Sequence, residues 1–233
     1  AGTGSGGMDA GCTPESDSSL CSRLRKDCGP ISGVDNCGTT RNVSSCGSCT
    51  SPKICGAGGT VNVCALYAGT PYGGTPVSIG GTASTWYTVE AEEYDVGGEG
   101  ISYHDTTSTN TLGGLRTGAN EGVDIEAACG SSGGCYDIGA IAPGEWTKYA
   151  INVVTSGAYM VQLGAASATS KNMHIEVDTR NVTGSLAVNT GGSTTFRSIS
   201  PTVSFSMSSG PHVVTFAFDD GSMALNWVKF QRQ

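Results

Sequence analysis

Thr88-Val89-Glu90-Ala91-Glu92-Glu93-Tyr94 is the segment from which the architecture of this chain can be inferred, together with residues 224–230 near its end. Both stretches are interpreted as β-strands, in which alternate side chains share a face. Glu90 and Glu92 would then project the same way, about 7 Å apart. Because like charges repel, either a cation relieves this pair or the pair lies on a solvated strand edge.

Calcium is the cation that such a pattern favours. It accepts carboxylate, amide and backbone carbonyl oxygens alike, and it usually takes six to eight of them. Asn226 could add an amide oxygen from the last strand. The cation would then join the beginning of a domain to its end.

Six separated motifs resemble those of a family 6 carbohydrate-binding module. They are VEAE (89–92), GEGISYHDTT (98–107), GGLR (113–116), VDIE (123–126), GEWTKY (144–149) and LNW (225–227). The resemblance covers about residues 85–233 and implies a jelly-roll β-sandwich with a structural calcium, usually attached to enzymes that degrade β-glucans, agarose or xylan. Carried over by position, it implies Glu90, Glu92 and Asn226 as calcium ligands, with a backbone carbonyl near Arg116.

Cysteine and charge divide the chain into two parts. Eight of the ten cysteines precede residue 65, and the other two are Cys129 and Cys135. Residues 1–70 carry five acidic and five basic side chains, so the net charge of −8 belongs to the remainder. An acidic surface argues against nucleic acid and anionic membranes as partners and suits cation binding.

Residues 12–64 are predicted to form a small disulfide-rich domain. Large apolar residues are scarce there, so disulfides of about 2–4 kcal/mol each would have to hold the fold. A zinc or redox role for Cys46 and Cys49 is disfavoured, because no histidine precedes His104 and no βαβ unit surrounds the pair. The pairing stays open among Cys12, Cys21, Cys28, Cys37, Cys46, Cys49, Cys55 and Cys64, whereas Cys129 and Cys135 are expected to bridge.

The remaining segments complete an all-β chain, a jelly-roll β-sandwich with a small disulfide-rich N-terminal domain. Residues 1–11 have the composition of a flexible Gly/Ser leader, and residues 65–84 that of a linker. From residue 85 onward, short alternating runs separated by turn signals predict the sandwich. Its core is predicted to contain Val153, Val161, Val177, Phe205, Val214, Phe216, Phe218 and Val228.

The resemblance also implies a sugar cleft in which a Tyr and a Trp clamp one ring and an Asn binds its hydroxyls. Tyr136 matches the Tyr, but Ser193 stands where the Trp is usual and Ala224 where the Asn is usual. We expect Phe196 to replace the Trp, and Asp137, Asp219 or Asp220 to supply polar contacts. The alternative for Tyr136 and Phe196 is ordinary packing.

Three further features leave alternatives open. Asp124 and Glu126 would share a face, where they would bind a second cation or pair with Arg116. Tyr103 and Asp105 would form another candidate surface. Because the resembling family uses more than one binding surface, the concave face of a sheet also remains available.

Catalysis is not expected. The nucleophile-elbow pattern at residues 130–134 lies in a short loop between cysteines, and not between a strand and a helix. Glycosidase carboxylates flank a sugar from opposite sides, whereas Glu90 and Glu92 would point the same way.

These observations together predict a secreted, non-catalytic protein that binds a β-linked polysaccharide and contains calcium. The polysaccharide would be a β-glucan, or an agarose-like or xylan-like polymer. The cysteine content fits an oxidising compartment, and no apolar run is long enough for membrane insertion. A catalytic domain or another extracellular protein is the expected protein partner. The alternative is a structural or adhesive protein whose lectin-like sandwich makes protein contacts.

Overall fold

A computed structural model describes residues 11–50, 53–57, 60–118, 121–127 and 135–233. It divides into two compact units, Ala1–Leu66 and Tyr67–Gln233. The predicted leader up to residue 10, Cys129 and the elbow pattern at 130–134 lie outside the described residues. Cys135 is disulfide-bonded. None of the helices found in the described ranges has the length and apolar character needed to span a bilayer.

Four disulfides hold the first unit. Among the described residues, its buried apolar cluster contains Leu20, Cys21 and Val43. Around it lie helix α1 (Asp17–Arg23) and strands β1 (Ile31–Val34), β2 (Thr40–Val43), β3 (Ile54–Cys55) and β4 (Cys64–Ala65). The bridges are Cys12–Cys37, Cys21–Cys46, Cys28–Cys55 and Cys49–Cys64. The predicted disulfide module is confirmed. Cys46 and Cys49 form disulfides with Cys21 and Cys64, respectively, and not with each other.

The second unit contains fourteen strands among the described residues, and 3₁₀ turns at Tyr72–Gly74 and Ala91–Glu93. The strands are β5 (Val77–Ile79), β6 (Trp86–Glu90), β7 (Tyr103–His104), β8 (Ile125–Glu126), β9 (Asp137–Ile138), β10 (Trp146–Val153), β11 (Gly157–Ser167), β12 (Lys171–Val177), β13 (Arg180–Asn181), β14 (Leu186–Val188), β15 (Gly192–Ile199), β16 (Ser204–Met207), β17 (Gly210–Phe218) and β18 (Ala224–Arg232).

These strands form two sheets. The first sheet has the order β13-β12-β17-β10-β5, with β14 beside β12 and β7 beside β10. The second has the order β15-β11-β18-β9-β8, with β16 beside β11 and β6 beside β18. The predicted jelly-roll β-sandwich is confirmed.

The core of the sandwich follows the period of two in the sequence. In β10, Thr147, Tyr149, Ile151 and Val153 are buried, while the alternate residues are partly exposed. The eight predicted core residues are all buried, at 9% exposure or less. Alternation therefore assigned the inward face of these strands correctly.

Part of the predicted linker 65–84 belongs to the sandwich, which corrects that boundary. β5 pairs in parallel with β10, with Val77 opposite Ile151, and Ile79 is fully buried in the core. Strand β5 has only three residues, and the Pro, Gly and Thr residues on either side of it are typical of a linker, so the sequence did not predict it. A strand this short is stabilised by its neighbour in the sheet, and local propensity alone does not reveal it.

His212 connects two turns at one end of β17 and gives the fold a pH dependence. Its Nδ1 lies 2.7 Å from Asp178 Oδ2, and its Nε2 lies 2.9 Å from the Ser208 carbonyl oxygen. Burial opposes the charged imidazolium, but the hydrogen bond and charge of Asp178 outweigh it and raise the pKa of His212 above 6.5. The folded state therefore holds this proton more tightly than the unfolded chain does.

We expect His212→Gln to lower the free energy of unfolding more at low pH than at high pH. The stabilisation from His212 is complete below about pH 6.5 and is lost as the pH rises through the raised pKa. Urea denaturation of both proteins between about pH 5 and pH 9 measures the difference. A difference that stays constant over this range would contradict the assignment.

Candidate functional site

The first and last long strands of the second sheet meet at the predicted calcium residues. β6 pairs with β18, and Glu90 lies opposite Trp227. β6 ends at Glu90, however, and Ala91–Glu93 form a 3₁₀ turn. Glu90 and Glu92 are therefore not alternate residues of one strand, which corrects the predicted geometry. The turn carries Glu92 inward to 7% exposure, whereas Glu90 stays half-buried.

The Arg116 side chain shapes the segment that follows this turn. Its guanidinium stacks 3.5 Å from the centroid of the Tyr94 ring and donates to the Tyr94 carbonyl oxygen. It also donates to the carbonyl oxygen of Glu92 at 3.4 Å and pairs with Glu121 at 3.4 Å. This arrangement fixes the backbone beside Glu92. That a carbonyl near Arg116 binds calcium stays a prediction.

The pair Asp124 and Glu126 does not behave as the alternation suggested. Asp124 accepts hydrogen bonds from the backbone N–H and the hydroxyl of Thr111, and the carboxylate partner of Arg116 is Glu121. Glu126 lies opposite Asp137 in the pairing of β8 with β9. The predicted pairing of Asp124 or Glu126 with Arg116 is thus replaced by other contacts.

Asp137 is placed differently from its predicted role at a sugar cleft. It is fully buried, and neither carboxylate oxygen has a hydrogen-bond partner in the described part of the chain. Burial, together with the charge of Glu126, raises the pKa of Asp137 to about 7. A sugar in solvent cannot reach a carboxylate without exposed surface, so this part of the prediction is wrong.

Glu92 is a second buried carboxylate near Asp137. Its Oε2 is buried and lacks a partner within the described ranges. Burial raises the pKa of Glu92 to about 7, and the negative charges of Glu90, Glu93 and Asp137 add to the shift. Two buried carboxylates that repel each other are a strongly unfavourable arrangement unless a proton or a cation compensates them.

The donor set fits calcium. Carboxylate oxygens of Glu92 and Asp137 are available, and the buried Asn226 donates its amide N–H to the Tyr136 carbonyl, which directs its amide oxygen away from Tyr136. All of these ligand atoms are oxygens, as calcium requires. Among the described residues, three Asp, Glu, His or Cys side chains with ligand atoms within 4.8 Å of one another occur only in the first unit. A cation here would therefore use two carboxylates with amide and carbonyl oxygens.

The predicted aromatic sugar contacts, Tyr136 and Phe196, lie in different parts of the second sheet, and that they clamp one sugar ring stays a prediction. Tyr136 is partly buried against the core just before β9, and Phe196 is half-buried in β15. β11 and β18 lie between these strands, so the two backbones are about 14 Å apart. Asp219 lies 2.8 Å from His174 Nδ1, and Asp220 accepts two hydrogen bonds from Asn172. Both acidic groups are thus engaged by β12.

The outer face of the first sheet carries an aromatic platform, here called the Trp146 face. It consists of two rows across neighbouring strands: His104, Trp146, Ala217 and His174 in one, and Lys148, Thr215 and Glu176 in the other. The His104 ring lies 6.3 Å from the Trp146 ring, and Lys148 Nζ lies 4.4 Å from the Trp146 ring centroid. Polar groups thus surround one partly exposed indole.

Thr215 lies at the centre of the polar row of this face. Its hydroxyl is buried and finds no hydrogen-bond partner in the described ranges. Burial lowers the pKa of the neighbouring Lys148, against the opposite effect of the Glu176 charge. The long side chains of Lys148 and Glu176, on either side of Thr215, therefore cover its hydroxyl.

Beside this face lies a cavity of about 350 Å³. Its lining residues are Glu99, Tyr103, Asp105, Thr106, Thr107, Ser108 and Gly122. Tyr103 is buried and accepts a hydrogen bond from the Gly122 N–H, and Glu99 contacts His104 of the Trp146 face. The predicted surface around Tyr103 and Asp105 is thus a concave one.

Comparison with known families identifies the class of this protein. The sequence model of the family described as carbohydrate binding module (family 6) matches residues 114–232, just over half of the chain. The chain belongs to this family, as its motifs indicated. A search of curated proteins returned no match.

Solved structures with similar folds include several modules of this family. The C-terminal module of a Zobellia galactanivorans laminarinase is 24% identical, with a TM-score of 0.48 over 64% of this chain and 100% of that one. A Cellvibrio mixtus lichenase module in complex with cellotriose is 22% identical, with a TM-score of 0.44 over 65% and 99% of the two chains. A β-1,3-glucan-binding module from Bacillus halodurans is 22% identical, with a TM-score of 0.44 over 62% and 94%.

Sequence reasoning missed the burial of Asp137 and the composition of the Trp146 face. The sequence did contain a signal for part of the face: Trp146 and Lys148 alternate with the buried Thr147 and Tyr149, which indicates that both side chains point outward from β10. The residues of β7, β12 and β17 that complete it could not be found without strand order. For Asp137, burial was the decisive fact, and short strands such as β9 have no period that reveals it.

We expect Arg116→Met to lower the free energy of unfolding by about 3 kcal/mol, because it removes several charge-assisted hydrogen bonds and leaves Glu121 without its cation. Urea denaturation measures the change. Arg180→Met, at an exposed arginine of β13, is the matched control and should change the free energy by less than about 0.5 kcal/mol. Equal effects of the two substitutions would show that Arg116 does not hold the turn.

Proposed function

We propose that this chain is a secreted, non-catalytic protein that binds a β-linked polysaccharide and uses calcium to stabilise its sandwich. Membership of the family 6 carbohydrate-binding modules is the observation that carries the proposal. Disulfide bonds in the first unit and at Cys135 support an oxidising compartment outside the cell. The chain would hold an attached or associated enzyme, or another extracellular protein, close to the polymer.

The Trp146 face is the surface best suited to the sugar. A pyranose has apolar C–H faces that stack on flat aromatic rings, and its hydroxyls need nearby donors and acceptors. Trp146 supplies the ring, while Lys148 supplies donors and Glu176 supplies acceptors within the same face. Trp227, on the other sheet, is less suitable, because its ring packs on Gly164.

The charge of the face favours a neutral polymer. Lys148 and Glu176 both lie opposite Thr215 and carry opposite charges, while His104 and His174 contact the carboxylates of Glu99 and Asp219, respectively. The net charge of −8 would repel a sulfated or carboxylated polysaccharide. A β-glucan, or an agarose-like or xylan-like neutral polymer, suits the balanced charge of the face and is not repelled by the negative net charge.

The calcium proposal concerns stability. Glu90, Glu92, Asn226 and a carbonyl near Arg116 are the residues that the family resemblance implies as ligands, and the buried Oε2 of Glu92 supports a cation there. When bound, calcium would neutralise the repulsion between the carboxylates. The protein residues position the oxygens, with Arg116 holding the turn and β18 holding Asn226.

Affinity electrophoresis on gels containing neutral β-glucans, agarose or xylan tests the binding proposal. We expect the full chain to be retarded by one of these polymers. Trp146→Ala should weaken binding at least about tenfold, because it removes the stacking surface. Trp86→Ala, a partly exposed tryptophan on the second sheet, is the matched control and should bind as the wild type does.

Two other outcomes would contradict this placement. If Tyr136→Ala abolishes retardation and Trp146→Ala does not, the sugar binds at the cleft that the sequence predicted. If no polymer retards the wild-type chain, the sandwich makes protein contacts instead, as a structural or adhesive protein would.

Calcium removal tests the stability proposal. We expect the melting temperature of the chelator-treated protein to rise when calcium is added, because a ligand that binds only the folded state stabilises it. Differential scanning calorimetry with calcium, and with magnesium as a control, measures the shift. A melting temperature that is the same with and without calcium would refute the structural role.

A further inference from the structure

We infer that Asp137 is a direct ligand of the cation proposed above and that it forms, with Glu92, the inner pair of carboxylates at that site. This inference rests on the proposed calcium site. It assigns to Asp137 a role that neither the family motifs nor the sequence analysis gave it.

The burial of Asp137 carries the inference. The residue has no exposed surface, and both of its carboxylate oxygens lack a partner in the described part of the chain. Buried polar groups in folded proteins are almost always hydrogen-bonded, and buried charges are paired or coordinate a metal. Two carboxylate oxygens without hydrogen-bond partners have lone pairs that can coordinate a metal ion.

The position of Asp137 brings it to the other ligands. It begins β9, which contacts both the 3₁₀ turn containing Glu92 and the strand containing Asn226. The backbone next to Asp137 is held there, because the Tyr136 carbonyl accepts a hydrogen bond from Asn226 and Ile138 lies opposite Leu225. Glu92 and Asp137 therefore face a common space between β9, β18 and the turn.

No basic side chain compensates the pair within the described ranges. The guanidinium of Arg116 binds backbone carbonyls and Glu121, and the ammonium of Lys229 lies 4.2 Å from the Trp227 ring centroid. Glu126, opposite Asp137, adds further negative charge. A divalent cation would neutralise this concentration of charge.

The choice between Asp137 and Glu90 follows from burial. Glu90, Glu92 and Asp137 do not all bring oxygens within 4.8 Å of one another. Glu90 is only half-buried and is attracted by Lys229, whereas Glu92 Oε2 and both carboxylate oxygens of Asp137 are buried without partners in the described ranges. The inner pair is therefore Glu92 with Asp137, and Glu90 lies at the outer edge of the site.

Asp137→Asn in the full chain tests the assignment, because it keeps the shape of the side chain and removes the charge. After treatment with a chelator, the melting temperature of the variant should equal or exceed that of the wild type, because residue 137 no longer carries a charge that repels the Glu92 carboxylate. Added calcium should raise its melting temperature by less than half the wild-type shift. Isothermal titration calorimetry with calcium chloride should show an affinity at least about tenfold lower.

Asp124→Asn is the matched control. Asp124 is also buried, two residues before Glu126, but its carboxylate is satisfied by Thr111. This variant should melt at a lower temperature than the wild type and keep the wild-type affinity for calcium. Asp137→Ser provides a second carboxylate deletion if Asp137→Asn does not fold.

The outcomes separate this inference from the proposal on which it rests. A wild-type chain that neither binds calcium nor melts higher in its presence overturns both. A wild-type chain that responds to calcium, with an Asp137→Asn variant that responds equally, overturns only the role of Asp137. In that case Asp137 is a protonated, purely structural carboxylic acid.

Discussion

The pairing of β6 with β18 is the constraint on which the second unit depends. It places the beginning of the sandwich beside its end and closes the second sheet around the core. The same pairing brings the turn of Glu92 next to Asn226 and β9, where acidic side chains are withdrawn from water. The pairing that completes the second sheet thus also concentrates buried negative charge, and the proposed cation, by relieving that charge, would stabilise the paired strands.

The surface proposed for sugar lies on the other sheet, and this separation is physically useful. The buried carboxylates organise the second sheet, whereas Trp146 is presented by β10 of the first sheet on a backbone held by β17, β5 and β7. A binding group on a central strand needs no loop to order when a ligand arrives. Rigid presentation of this kind lowers the entropic cost of association.

Several corrections have a common cause. β5, the turn at Ala91–Glu93 and the burial of Asp137 all lie in elements of two to five residues or at their ends. Such elements are too short to show a period of two, so their conformation is set by the strands that pair with them. The long strands were predicted well for the opposite reason. In β10, buried and partly exposed residues alternate over the whole strand, so the pattern showed which side chains face the core.

The amino-acid sequence by itself determined the class of fold, the disulfide-rich first unit and the family, because these follow from alternation, cysteine density and ordered motifs. It also predicted Glu90, Glu92 and Asn226 as calcium ligands, and this assignment stays a prediction. Only the tertiary structure decided that Asp137 is buried beside them and that Trp146, Thr215 and Glu176 share one face. The physical reason is that strand order brings together residues far apart in the chain, and no local pattern encodes that order.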